Sequence, residues 1–280
     1  MVITTLSQAL AQARARGLER IDAQMLLLHA IGQPDAGRAW LLAHDTDALA
    51  PYAQARFEAL CQRRAAGEPV AYLTGRKEFY GLALTVDARV LDPRPDTETL
   101  VDWALELLAP LPAPRVVDLG TGSGAIALAL QSQRPDAHML AVDASEDALA
   151  VARANAERLD LAVRFRHGSW LDGVPGPFEA IVSNPPYIPA ADPHLAALTH
   201  EPLSALASGA DGLDDIRAIV AQAPARLAPG GWLLLEHGWD QADAVQALLR
   251  AAGFARVASR ADLAGIARCT GGQWPGASPA

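Results

Sequence analysis

Two hydrophobic rhythms divide this chain. Up to about residue 75 the apolar positions recur at helical spacing: Leu6, Ala9, Leu10 and Ala13 fall on one stripe, and Leu27, Leu28 and Ile31 share another. Start and stop signals bracket these stripes. Thr5 or Ser7 is placed to cap a first helix that ends near Arg16, with Gly17 as its stop. Asp22 is placed to cap a second over residues 23–31, before Gly32. Arg38–Ala43 suggests a third, and residues 51–66 a fourth, with Pro51 in its first turn and Gly67 behind it. The expectation is a helical bundle over residues 1–75. From Tyr72 the pattern changes. Short apolar steps through Phe79, Tyr80, Leu82, Leu84 and Val86, broken by Gly75 and Gly81, predict a β-hairpin linker extending to residue 95.

Residues 96–280 read differently again. A helix that Asp96 or Thr97 caps runs to Leu108. Strands are then predicted at 115–118, 138–142, 162–165, Phe178–Ser183 and 231–236, alternating with helices Ala125–Gln133, Glu146–Leu159, 214–227 (kinked at Pro224) and 241–252. Segments 254–259 and 266–270 close the series as two further strands, and 273–280 reads as a loose tail. Apolar strands alternating with helices predict an α/β, Rossmann-like domain on a seven-stranded, mainly parallel sheet, with ligands at the strand carboxyl ends.

Charge and cysteine usage narrow the classes. The 280 residues carry a net charge of −9. That argues against broad electrostatic binding of nucleic acid, whose usual footprint is a basic face. Cys61 and Cys269 stand far apart, with no C-x-x-C pair, and the histidines show no H-x-x-x-H, so no metal is expected. No apolar run reaches the ~18–20 residues of a membrane span. The N-terminus lacks the apolar core of a signal peptide, and a cytoplasmic protein is expected.

The chemistry gathers at the ends of the predicted strands. Asp118-Leu119-Gly120-Thr121-Gly122-Ser123-Gly124 follows the first strand, and its glycines let backbone approach a ligand closely. With Ala125 it also satisfies the loose dinucleotide pattern, so a nicotinamide enzyme is a rival. Asp118 before the glycines is expected to point into the site, where it suits a cationic amino-acid group better than a pyrophosphate. Asp143 ends the second strand about twenty residues beyond Gly122, where a carboxylate accepts ribose hydroxyls. Trp170, after the third strand, is placed to stack on or wall an adenine ring. Asn184-Pro185-Pro186-Tyr187 ends the fourth strand. Two prolines stop the ladder and leave carbonyls that cannot pair in it. One amide, one free carbonyl and one aromatic ring can hold a planar –NH2 by its two hydrogens and its face, which orients its lone pair for methylation. Asn184, Pro185 and Tyr187 are therefore the catalytic candidates.

On these residues the chain resembles the class I S-adenosylmethionine-dependent methyltransferases. More narrowly, it resembles the protein-(glutamine N5) methyltransferases of peptide chain release factors, the PrmC/HemK family. Glu68 to Gly75, Phe79-Tyr80-Gly81, Pro93-Arg94-Pro95-Asp96-Thr97-Glu98, Asp118 to Gly124, Asn184 to Tyr187 and Glu201-Pro202 carry the likeness. The resemblance implies S-adenosylmethionine as methyl donor, with S-adenosylhomocysteine as product. It implies cofactor contacts by Asp118, Gly120, Thr121, Gly122, Ser123, Gly124, Asp143, Trp170 and Asn184. It implies substrate contacts by Asn184 to Tyr187, with Arg94 and Glu98 as candidates for closing the site. The implied substrate is the glutamine of a Gly-Gly-Gln tripeptide in a release factor, gripped in part by the helical domain. A ribosomal-protein glutamine and a nucleic-acid amino group are the alternatives. The chain carries a Gly-Gly-Gln of its own, Gly271-Gly272-Gln273. It is read as a chance tripeptide in the tail, with self-methylation as the rival.

Overall fold

The computed structural model describes residues 4–276. They fall into two compact units, Met1–Arg76 and Lys77–Ala280.

The first unit holds α1 (Leu6–Ala15), α2 (Arg20–Ala30), α3 (Arg38–Ala43), α4 (Pro51–Ala65) and α5 (Val70–Thr74). Thr5 caps α1 in a reciprocal box with Gln8. Glu19 occupies the cap position of α2, three residues before the expected Asp22. Asp22 instead pairs with Arg64 at 2.6 Å, which ties α2 to α4. Leu6, Leu26, Leu27, Leu41, Phe57 and Leu60 form the bundle core. Residues 72–74, read from the sequence as the start of the hairpin, belong to α5, which Gly75 ends in the left-handed region at φ +70°.

The hairpin pairs β1 (Arg76–Phe79) with β2 (Leu82–Thr85). Its turn residues Tyr80 and Gly81 both take positive φ, the geometry of a tight two-residue hairpin. The hairpin packs as part of the second unit: the Asn155 side chain accepts from Thr85 N and donates to Thr85 O. Helix α6 (Glu98–Leu108) follows a 3-10 turn at Pro95–Thr97.

The second unit continues with β3 (Arg115–Leu119), α7 (Ala125–Gln133), β4 (His138–Asp143), α8 (Glu146–Leu159), β5 (Val163–His167), β6 (Phe178–Ser183), α9 (Asp214–Gln222), β7 (Leu227–Glu236), α10 (Ala242–Ala251), β8 (Ala255–Ala261) and β9 (Ala267–Gln273). Pro224 does not kink a longer α9. It ends it in a 3-10 turn, because its ring clashes with the carbonyl one turn back, and β7 starts earlier than expected. The sheet order is β5-β4-β3-β6-β7-β9-β8, parallel except for β9. Val117, Leu119, Ile181, Leu233 and Leu235, fully buried, carry the core beneath it. The chain moves outward from β3 to β4 and β5, then returns to place β6 on the other side of β3. That reversal opens a crevice at the carboxyl ends of β3 and β6, where the glycine loop and Asn184–Tyr187 emerge.

Gly271-Gly272-Gln273 is not tail but the end of β9. A Cβ on Gly271 would sit 2.5 Å from Leu234 Cδ2, so the glycine admits close packing. Gln273 is in register with Trp232 in the middle of β7 and donates to Gly230 O. It therefore lies toward the end of the sheet opposite the crevice, away from this chain's own site. Among the described residues, no helix is long and apolar enough to cross a membrane.

Candidate active site

A cavity of about 370 Å³ opens at the crevice. Its floor is Gly120 and Gly122, after β3, with Asp143 at the end of β4 and Trp170 after β5. Both glycines take positive φ, which L side chains rarely adopt. A Cβ on Gly120 would approach Trp170 Cζ3 to 3.2 Å, so the indole seats directly on bare backbone. Asp143 is half-buried. Its Oδ2 accepts from Gly122 N at 2.8 Å and its Oδ1 from Ser145 N at 2.8 Å. The carboxylate thus fixes the glycine loop to the start of α8 and keeps lone pairs for hydroxyls in the cavity. Asn184 and Pro186 close the far wall, with Val90 and Leu91 from the segment after β2.

Four of the nine expected cofactor residues stand behind this lining. The Asp118 side chain does not point into the cavity. It is fully buried, and its Oδ2 accepts from the Thr121 hydroxyl at 2.6 Å and from Ala127 N at 3.2 Å. Its Oδ1 has no hydrogen-bond partner. Burial pushes its pKa up to about 7, opposed by those two bonds and reinforced by nearby Asp143. Thr121 is turned back onto Asp118. Ser123 is buried, with its carbonyl held by Asn155 Nδ2. At Gly124 a Cβ would meet Leu128 at 3.0 Å and Ala152 at 3.2 Å, so this glycine serves the packing of α7 on α8.

Asn184 lines two cavities. A smaller one, about 150 Å³, continues on its other side between Leu91, Arg94, Tyr187, Ile188 and Leu206. Tyr187 is held from outside: Gln241 Nε2 donates to its carbonyl at 3.0 Å. Gly212 packs so closely on that carbonyl that a Cβ would lie 2.2 Å from it. Burial, with Glu236 nearby, drives the Tyr187 phenol pKa upward, so it stays protonated and supplies a ring rather than a base. Arg94 faces the small cavity, but its guanidinium is bound to the buried Glu201 at 2.6 Å, and Glu201 also accepts from Asp92 N. Glu98 lines neither cavity. It accepts from Tyr80 N at 2.9 Å and anchors the hairpin turn.

Sequence reasoning missed Glu236. It ends β7 beside Thr97 and Asn184 and is 1% exposed. An acid closing the apolar run Leu233-Leu234-Leu235 is the same signal that singled out Asp118 and Asp143. Among the described residues, no cluster of His, Cys, Asp or Glu is placed to hold a metal ion.

Known proteins place this geometry. Residues 98–209 match the family described as the methyltransferase small domain, and residues 2–75 match the PrmC N-terminal domain. A protein of Xylella fastidiosa, named release factor glutamine methyltransferase, is 51% identical over 272 residues, covering 96% of this chain and 98% of its own. One of the same name from Bordetella pertussis is 52% identical over 262 residues, 91% of this chain and 95% of its own. The chain belongs to the release factor glutamine methyltransferase family. Among solved structures, a methyltransferase of Pyrococcus furiosus superposes with a TM-score of 0.53 at 19% identity, over 79% of this chain and 98% of its own. The T. thermophilus 16S rRNA N2 G1207 methyltransferase, solved with AdoMet and guanosine, gives 0.52 at 20% identity, over 71% of this chain and 49% of its own. At such identity these two speak for the class I methyltransferase fold alone. The family membership makes the chain a methyltransferase and removes the nicotinamide alternative.

Proposed function

We propose that the chain methylates the side-chain amide nitrogen, N5, of the glutamine in a Gly-Gly-Gln tripeptide of a peptide chain release factor. The observation that carries this reading is the position of Asn184, on the wall shared by the two cavities. S-adenosylmethionine fits the larger one: a flat indole for a base, a carboxylate for a ribose diol, and bare glycine backbone for close approach. When bound there, it supplies an electrophilic methyl on a cationic sulfur and leaves as S-adenosylhomocysteine. Gly120, Gly122, Asp143, Trp170 and Asn184 would hold it. Asp118 acts from below the loop, as a buried charge that favours a cationic ligand.

On the other side of the wall, Asn184 Oδ1 accepts one N–H bond of an incoming amide, and the second is assigned to the carbonyl of Pro185, a buried residue that itself lines neither cavity. Tyr187 packs on the face of that amide. Those bonds turn the nitrogen lone pair toward the methyl group and hold it there. The new N–C bond leaves the nitrogen cationic, and it loses one proton to water without a strong base. The 45–52% identities to relatives named for release factor glutamine over nearly their whole length support this substrate.

The test is labelled methyl transfer from S-adenosylmethionine to three purified acceptors: a release factor, a ribosomal-protein fraction and a nucleic-acid fraction. Labelling of the release factor alone is expected. Preferential labelling of either other acceptor would overturn the reading.

A further inference from the structure

The Glu236 carboxylate takes no part in the grip described so far, yet it is fully buried beside it. Its Oε2 has no partner within hydrogen-bond distance. A buried carboxylate left in this state is costly and calls for a compensating role. The Thr97 hydroxyl and the Asn184 amide face it, and Asn184 Nδ2 donates to Thr97 Oγ1 at 3.3 Å. An ionised carboxylate only accepts hydrogen bonds, whereas an amide has one accepting and one donating end. With the carboxylate charged, the Asn184 –NH2 must turn toward Glu236 and Thr97, and Oδ1 must turn toward the cavities. The opposite rotamer would set two acceptors against each other. The methylation reading needs that same Oδ1 in the cavity, since a donor there would oppose the substrate –NH2.

We propose that Glu236, acting with Thr97, is a positioning residue that fixes the amide orientation of Asn184 and so makes its Oδ1 the substrate acceptor. The proposal rests on the amide grip assigned to Asn184 above. It extends to pH. Once protonated, Glu236 can donate to Oδ1 and releases the constraint. Burial and Asp96 raise its pKa to about 7, while Thr97, Arg268 and Asn184 oppose the rise. Tyr187 and Cys269 also face it, and both keep their protons because burial drives their pKa values upward. Turnover at saturating cofactor and substrate should therefore rise with pH through an acid limb near neutrality. Asp118 also titrates near 7, but it lies under the cofactor loop, so its ionisation moves cofactor affinity rather than turnover at saturation.

The experiment measures kcat and KM against pH for the wild type, Glu236→Gln, Thr97→Val and Asn184→Ala, with S-adenosylhomocysteine affinity by calorimetry. Gln at 236 offers both a donor and an acceptor, so Asn184 loses its preference. The expected result is a fall in kcat of at least tenfold, loss of the acid limb, and less than a threefold change in KM and in cofactor affinity. Thr97→Val should lower kcat in the same direction with cofactor affinity kept. A Glu236→Gln kcat within twofold of wild type, or a lower kcat that keeps the acid limb, would overturn the proposal. Near-normal turnover by Asn184→Ala would instead overturn the amide grip on which it rests.

Discussion

At the scale of single residues, one side chain separates binding from chemistry. Asn184 lines both the cofactor cavity and the smaller one beside it. Asn184→Ala should reduce kcat by roughly 10²–10³, about 2.7–4 kcal/mol, as for the loss of one preorganised group at a reacting centre. S-adenosylhomocysteine affinity, measured by calorimetry, should fall much less, because Asp143, Trp170 and the glycine loop remain. Asp118 makes a second prediction. Its pKa of about 7 lies above the unfolded value of ~4, so the folded protein holds a proton that the unfolded chain releases. Its contribution to stability is present below pH ~4 and is lost as pH rises through about 7. Asp118→Asn keeps an acceptor for Thr121 and Ala127 and removes the buried charge. The ligand-free variant should gain in melting temperature over the wild type at pH 8 and gain little at pH 4. An equal gain at both pH values would contradict the burial cost assigned to this carboxylate.

At the scale of elements, strand ends and turns do the positioning. Most of them were legible in the sequence. Periodicity marked β3, β4, β6 and β7 because central parallel strands are buried on both faces and read as unbroken apolar runs. Prolines marked the end of β6 because they cannot continue a ladder. What did not show was where side chains turn after a strand ends. Asp118 and Asp143 occupy equivalent places in the sequence pattern, yet one is sealed under the loop and the other lines the cavity. Their hydrogen-bond partners decide it: the Thr121 hydroxyl and Ala127 N draw Asp118 inward, whereas Gly122 N and Ser145 N hold Asp143 at the rim. The long-range partners of Arg94 and Glu98 were equally invisible in the sequence: Arg94 binds Glu201 while lining the small cavity, and Glu98 accepts from Tyr80 N. Gly271 and Gly272 look like tail until their packing on Leu234 and Phe254 is seen. Gly212 tests this positioning. Its φ of +77° and its contact with the Tyr187 carbonyl leave no room for a side chain. Gly212→Ala should cost on the order of 1–3 kcal/mol in stability from the strained backbone alone. By displacing Tyr187 it should lower kcat while leaving cofactor affinity close to wild type. Unchanged kcat would show that the Tyr187 loop does not need this support.

At the scale of the whole molecule, the fold alone admits many substrates, and the two solved neighbours, at 19–20% identity, speak for the architecture alone. What distinguishes this chain is attached to that architecture: Asn184–Tyr187 at the switch point, the segment carrying Thr97, and a helical first unit matching the PrmC N-terminal domain. The net charge of −9 gives nucleic acid no general attraction to the chain. The account therefore stands on one nitrogen atom. Tandem mass spectrometry of a release factor after incubation with this protein and isotopically labelled S-adenosylmethionine locates the transferred methyl. The account predicts a single label on the side-chain amide nitrogen of the Gly-Gly-Gln glutamine, lost when Asn184 is replaced by alanine. A label on any other residue, or an unchanged label with Asn184→Ala, would contradict it.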